Sequence, residues 1–207
     1  MTTIFLLLLS NLMPIVGALF FGWDVGVMML AYWCETAILG FYNVLKIIKA
    51  NGQLKVPDAV RRKWGQLNPS KVGLVLFFIF HFGMFMFGHF IFLNILIFLK
   101  HPDFFTVLLS SSHSFLISLF MTFFTHGVSF QKNFIEGGEW KRVDPVTQMT
   151  KVYGRVAFMH FSIFIVAFVL VQFGLYANLA AISALALFKA VLDVYCHYRS
   201  HLAAVRT

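Results

Sequence analysis

Charge is what this chain has least of. Of its 207 residues, 16 are Lys or Arg and 8 are Asp or Glu, 12% in all, where soluble domains carry about a quarter. That shortage excludes an ordinary water-soluble domain. Cysteine is scarce as well. Cys34 and Cys196 both stand inside apolar runs and read as small core residues rather than as a disulfide or thiolate site. Absent too are the GxxxxGK(S/T) phosphate loop, the GxGxxG turn and the GxSxG elbow, so nucleotide binding and nucleophilic-serine chemistry find no motif here. No Lys or Arg precedes Lys46 and no small-x-small site follows the first apolar run. That run is therefore expected to be a helix, kinked at Pro14, and not a cleaved leader.

Apolar mass fills the space that charge leaves. Sixty per cent of the residues are hydrophobic and 27 are Phe, with a mean hydropathy of +0.83, too much apolar surface for a disordered chain. A hydrocarbon layer about 30 Å thick needs ~20 apolar residues per helix. Six such runs are expected, at Thr3–Phe21, Val25–Ile48, Val72–Leu99, Phe104–Phe130, Val152–Val171 and Leu179–Tyr198. The fold class is thus all-α, a polytopic transmembrane bundle forming one domain over 1–207. The third and fourth runs are long enough to predict tilt or kinks.

Basic residues orient the bundle. Lys46, Lys49, Lys55, Arg61, Arg62, Lys63 and Lys71 follow the second run, and Lys132, Lys141, Arg142, Lys151 and Arg155 follow the fourth. Both loops should be cytoplasmic, and with Arg199 and Arg206 both termini as well. The net charge of +8 is accounted for by this sorting, so nucleic acid is not an expected partner; the lipid bilayer is. Trp23, Trp33, Trp64 and Trp140 are expected to serve as interfacial anchors. Gly22/Gly26 and Gly83/Gly88 are expected to allow close backbone approach or bending, and Gly137-Gly138 a loop hinge.

Loops of about 20 residues leave no platform for a site outside the helices, so chemistry is expected between them. The candidates are polar residues that interrupt apolar runs: Glu35, His81, His89, His113, His126, His160, Lys189, Asp193 and His197. An intramembrane ionisable group costs ~2.5–3.5 kcal/mol unless paired, liganded or hydrated. Counting 1.5 Å per residue puts Glu35, His81 and Lys189 near mid-membrane, and His89 and His113 in the outer half. His160, His126, Asp193 and His197 fall on the cytoplasmic side. Lys189, Asp193 and His197 recur every four residues and form one stripe. An Asp and a His so spaced can share a metal ion, or can simply hydrogen-bond helices together. His101 and His113 are weaker candidates, one beside Pro102 in an outer turn and the other among serines.

The segments YWCETAILGFYNVLK (32–46), HFGMFMFGH (81–89), YGRVAFMH (153–160) and FKAVLDVYCH (188–197) resemble an uncharacterised bacterial integral-membrane family, one of the domains of unknown function. The resemblance implies a multi-pass protein of the bacterial inner membrane and supplies no activity. From the residues, the leading expectation is a membrane-embedded metal-binding protein, an enzyme acting on a lipid, quinone or other apolar substrate. His81, His89, His126, His160, Asp193 and His197 are the expected ligands of zinc, iron or copper, and Glu35 the catalytic acid/base. The alternatives are a haem protein with histidine axial ligands and a proton or metal-ion transporter. The repeated HxxxH and HxxHH boxes of membrane desaturases are absent, apart from the single His197/His201 spacing.

Overall fold

The computed structural model describes residues 16–52, 70–100, 104–157, 159–161 and 164–165. The first expected run is described only over its last residues, of which 16–20 are helical, and the sixth lies outside the described residues. In chain order the elements are α1 (Val25–Lys49), α2 (Lys71–Lys100), α3 (Phe104–Ser110), α4 (Ser112–Ser129), a π-helical continuation (Phe130–Glu136), α5 (Glu139–Arg142) and α6 (Pro145–Thr150). Residues 153–157, 159–161 and 164–165 are helical as well. Among the described residues there is no strand. Three stretches, Val25–Lys49, Lys71–Ile95 and Ser112–Glu136, are long and apolar enough to cross a membrane.

Local chemistry sets the ends of α1. Asp24 is extended, and its Oδ1 accepts the Val27 N–H at 2.8 Å, satisfying a donor that the first turn leaves open. Lys46 and Lys49 occupy the last turn, where positive charge suits the helix dipole. Past Ala50 the chain is pinned by Asn51 N–H to Trp140 O (2.8 Å) and Gly52 N–H to Val143 O (2.9 Å). Upstream, Gly22 takes a left-handed φ of +66°, which turns the chain tightly enough to seat Trp23 in the core.

The expected fourth span is broken at Ser111, whose hydroxyl donates to Phe21 O. Ser114 donates to Ser111 O and accepts the Trp23 indole N–H at 2.9 Å, so the serine cluster docks the turn before α1. The same helix runs past Phe130, through the π turn, to Gly137 and Gly138, the latter at φ +68°. The glycine pair does end the element, as expected.

α1 is the central helix. Over its most apolar window 56% of the residues are buried, against 17% for Ser112–Glu136. Trp33 and Phe90 stack, and Gly40 faces Phe82, so α1 and α2 run antiparallel. Trp23 meets Phe115 and Tyr42 meets Phe123, so α1 and α4 run parallel. His81 meets Tyr153 and Phe92 meets Phe164, so α2 and the helical residues 153–157, 159–161 and 164–165 also run parallel. This is the alternation that successive crossings of a layer require.

On α2 the buried residues Leu74, Phe78, Phe82, Met86, His89 and Leu93 form one stripe at spacings of three and four. The rest of α2 turns outward, with Leu76 62%, Phe80 72% and Phe87 64% exposed, a surface suited to lipid rather than water. Two of the expected interfacial anchors are instead packing struts. Trp23 is 3% exposed, and the Trp33 indole N–H donates to Met86 O. Nor do Gly83 and Gly88 mark a close approach, because an added Cβ would meet nothing within 4 Å at either.

Gly40 does mark a close approach of α1 and α2, since a Cβ there would overlap the Phe82 ring. Gly40→Ala should lower the melting temperature of the detergent-solubilised protein, with overpacking costing about 1–3 kcal/mol. Gly83→Ala, with the same helix-propensity gain and open space around it, should not.

Candidate functional site

Residues 153–160 carry the polar side of a seam that faces both α1 and α2. Arg155 donates to Glu35 on α1 at 3.0 Å, with the two side chains 29% and 14% exposed. Tyr153 OH lies 2.7 Å from His81 Nδ1 on α2. About two turns further on, His160 Nδ1 lies 2.7 Å from His89 Nε2. Glu35, His81 and His89 are thus each met by a polar side chain from across the interface, as burial away from water favours.

The His89–His160 contact stands at the wall of a cavity. A space of about 370 Å³ is lined by Met84, Phe85, Gly88, His89, Phe92, His160 and Phe164. The two imidazoles are its polar groups, the remainder being aromatic, thioether and glycine surface. His89 is 4% exposed and its Nδ1 has no hydrogen-bond partner, whereas His160 is exposed. Gly88 leaves the space open because it projects no side chain into it. Below, His81 meets the Phe85 ring edge-on at 5.1 Å, so the Tyr153–His81 pair abuts the cavity's lower wall.

The expected layering is corrected in one respect. His89 was placed in the outer half and His160 on the cytoplasmic side, yet the two are in contact. The segment before Tyr153 does not lie outside the bundle. α5 and α6 fold back along the ends of α1 and α2, with Pro145 and Gln148 buried and Gln148 donating to Asn43 Oδ1 at 2.8 Å. The following helix therefore starts level with His81, deeper than a count from its own end implies.

Of the expected site residues, His89 and His160 are brought together. Glu35 and His81 line the same seam with other partners. His126 sits on α4 with its ring 6.3 Å from that of Tyr42. Lys189, Asp193 and His197 lie outside the described residues. Among the described residues no three His, Cys, Asp or Glu side chains converge on one point.

Sequence reasoning did not single out Tyr153, and it assigned Arg155 to the cytoplasmic charge count alone. The signal was available in Glu35, since a buried acid demands a base and Arg155 stands within the YGRVAFMH segment. Arg155→Met alone should destabilise the protein by about 1–3 kcal/mol, below the range for a fully buried pair because Arg155 is partly exposed. Glu35→Gln/Arg155→Met should recover most of that loss in a melting-temperature cycle.

No curated protein and no solved structure matches the chain. A family model does, over residues 1–207, and its description states no activity. The chain belongs to the family of unknown function DUF6498.

Proposed function

We propose that the protein is a multi-pass protein of the bacterial inner membrane, with six spans and both termini cytoplasmic, that receives a lipid-soluble molecule in the cavity beside His89 and His160 and acts on it through that imidazole pair. The carrying observation is the hydrogen-bonded pair at the wall of an otherwise apolar cavity on an apolar face. A volume of about 370 Å³ falls within the ~300–1,000 Å³ of small-molecule sites, which combine apolar walls with a few placed polar groups. An imidazole can donate from one ring nitrogen and accept at the other, which suits proton transfer. The alternating directions of α1, α2, α4 and the helical residues after α6 support the six-span arrangement.

A second reading, binding of zinc, iron or copper, is favoured by the ring nitrogens of this pair that face away from each other. His160 Nε2 would serve as a ligand together with Asp193 and His197. As opposed haem ligands His89 and His160 are too close, because nitrogens on either side of an iron stand about 4 Å apart, twice a metal–nitrogen bond, and these are 2.7 Å apart.

Solvent extraction of the purified protein should release a lipid-soluble compound that Gly88→Leu, which fills the cavity, depletes. Equal recovery from both proteins would refute the cavity reading. Elemental analysis decides the metal reading: near-stoichiometric metal lost in both His160→Ala and His197→Ala would establish it. For topology, a cysteine at exposed Lys141 should react with an impermeant thiol reagent only from the cytoplasmic side, and one at position 102 only from outside.

A further inference from the structure

The His89–His160 hydrogen bond has a direction that the surroundings decide. Each neutral imidazole carries one N–H and one bare nitrogen. If His160 donated from Nδ1, His89 would keep its proton on Nδ1, which is buried and has no partner. If His89 donates from Nε2, that buried position holds only a lone pair. A buried N–H without an acceptor is the costlier orphan, so His89 donates. His160, accepting at Nδ1, then carries its proton on Nε2, on the side of the ring away from His89.

His160 is exposed and lines the cavity, and no described residue accepts from its Nε2. An N–H donor held against apolar walls selects an acceptor and turns away ammonium cations, which would set donor against donor. Resting on the cavity reading above, we infer that the occupant is a lipid-soluble carbonyl compound of the quinone type, its ring oxygen accepting from His160 Nε2.

Depth separates this occupant from a phospholipid ester. α2 spans 30 residues, Lys71–Lys100, and His89 stands roughly four residues past its middle, about 6 Å along the axis at 1.5 Å per residue. Ester carbonyls sit at the rim of the hydrocarbon layer, about 15 Å from its centre. A carbonyl at the level of His89 must be carried there by a molecule that is otherwise apolar. Phe85, Phe92 and Phe164 in the wall offer faces and edges to a flat ring.

The test compares two probes on the full-length protein in nanodiscs, a decyl-substituted benzoquinone and decylbenzene, which lacks the carbonyls. The quinone should bind roughly tenfold more tightly, the order expected of one added hydrogen bond, and raise the melting temperature further. His160→Phe should erase that preference while decylbenzene still binds, and Gly88→Leu should abolish both. Equal binding of the two probes by the wild type overturns the carbonyl assignment and leaves the cavity reading standing; binding of neither overturns both. Because His160→Phe can also perturb folding, ¹⁵N histidine spectra of the unliganded wild type give an independent measure. His160 should appear protonated at Nε2. Protonation at Nδ1, or a metal-bound Nε2, overturns the inference, as does native mass spectrometry showing a phospholipid lost on Gly88→Leu.

Discussion

Polar groups inside this bundle have to find one another, because helices this apolar leave them no water to turn to. That constraint organises the seam between α1, α2 and residues 153–160. Arg155 meets Glu35 on α1, and Tyr153 and His160 meet His81 and His89 on α2. Leaving any of these groups unmatched would cost more than its pairing contributes. The pairs therefore act as a register: a slide of residues 153–160 along α2 by one turn would separate two of them together. Apolar packing brings the helices close, and the pairs fix which residues oppose which.

The same constraint is met to different degrees in two of these pairs. Glu35 and Arg155 neutralise each other with both side chains largely covered. His89 and His160 satisfy each other only halfway, each imidazole keeping one nitrogen that no described residue engages. That leftover capacity coincides with the cavity, with Gly88 holding the space open and aromatic rings walling it.

Much of the fold was legible. The second run was expected at Val25–Ile48 and α1 occupies Val25–Lys49; Asp24 ahead of it and the lysines at its end are strong local signals. The third run differs from α2 by one residue at each end, and a kink expected in the fourth is found at Ser111. The pairing of His89 with His160 was not legible, because depth was counted from the ends of separate runs. The count assumed that residues 139–151 lie outside the helices, whereas Pro145 and Gln148 are buried, Gln148 against Asn43 of α1. Composition cannot show such a fold-back: the segment is polar enough for a loop, and only its partner Asn43 explains where it goes. Tyr153 was overlooked for a related reason, since a tyrosine near a span end reads as an interfacial residue until His81 is seen across from it.

The span of sequence between Glu35 and Arg155 has a consequence for biosynthesis. The two are 120 residues apart, and at ~5–20 residues per second the ribosome needs roughly 6–24 seconds to deliver the guanidinium after the carboxyl group has emerged. Through most of that interval α1 is complete while Arg155 has yet to be made. The latch therefore cannot close while α1 is being made: it closes when the segment that carries Arg155 arrives, so this one contact ties the first half of the chain to the second.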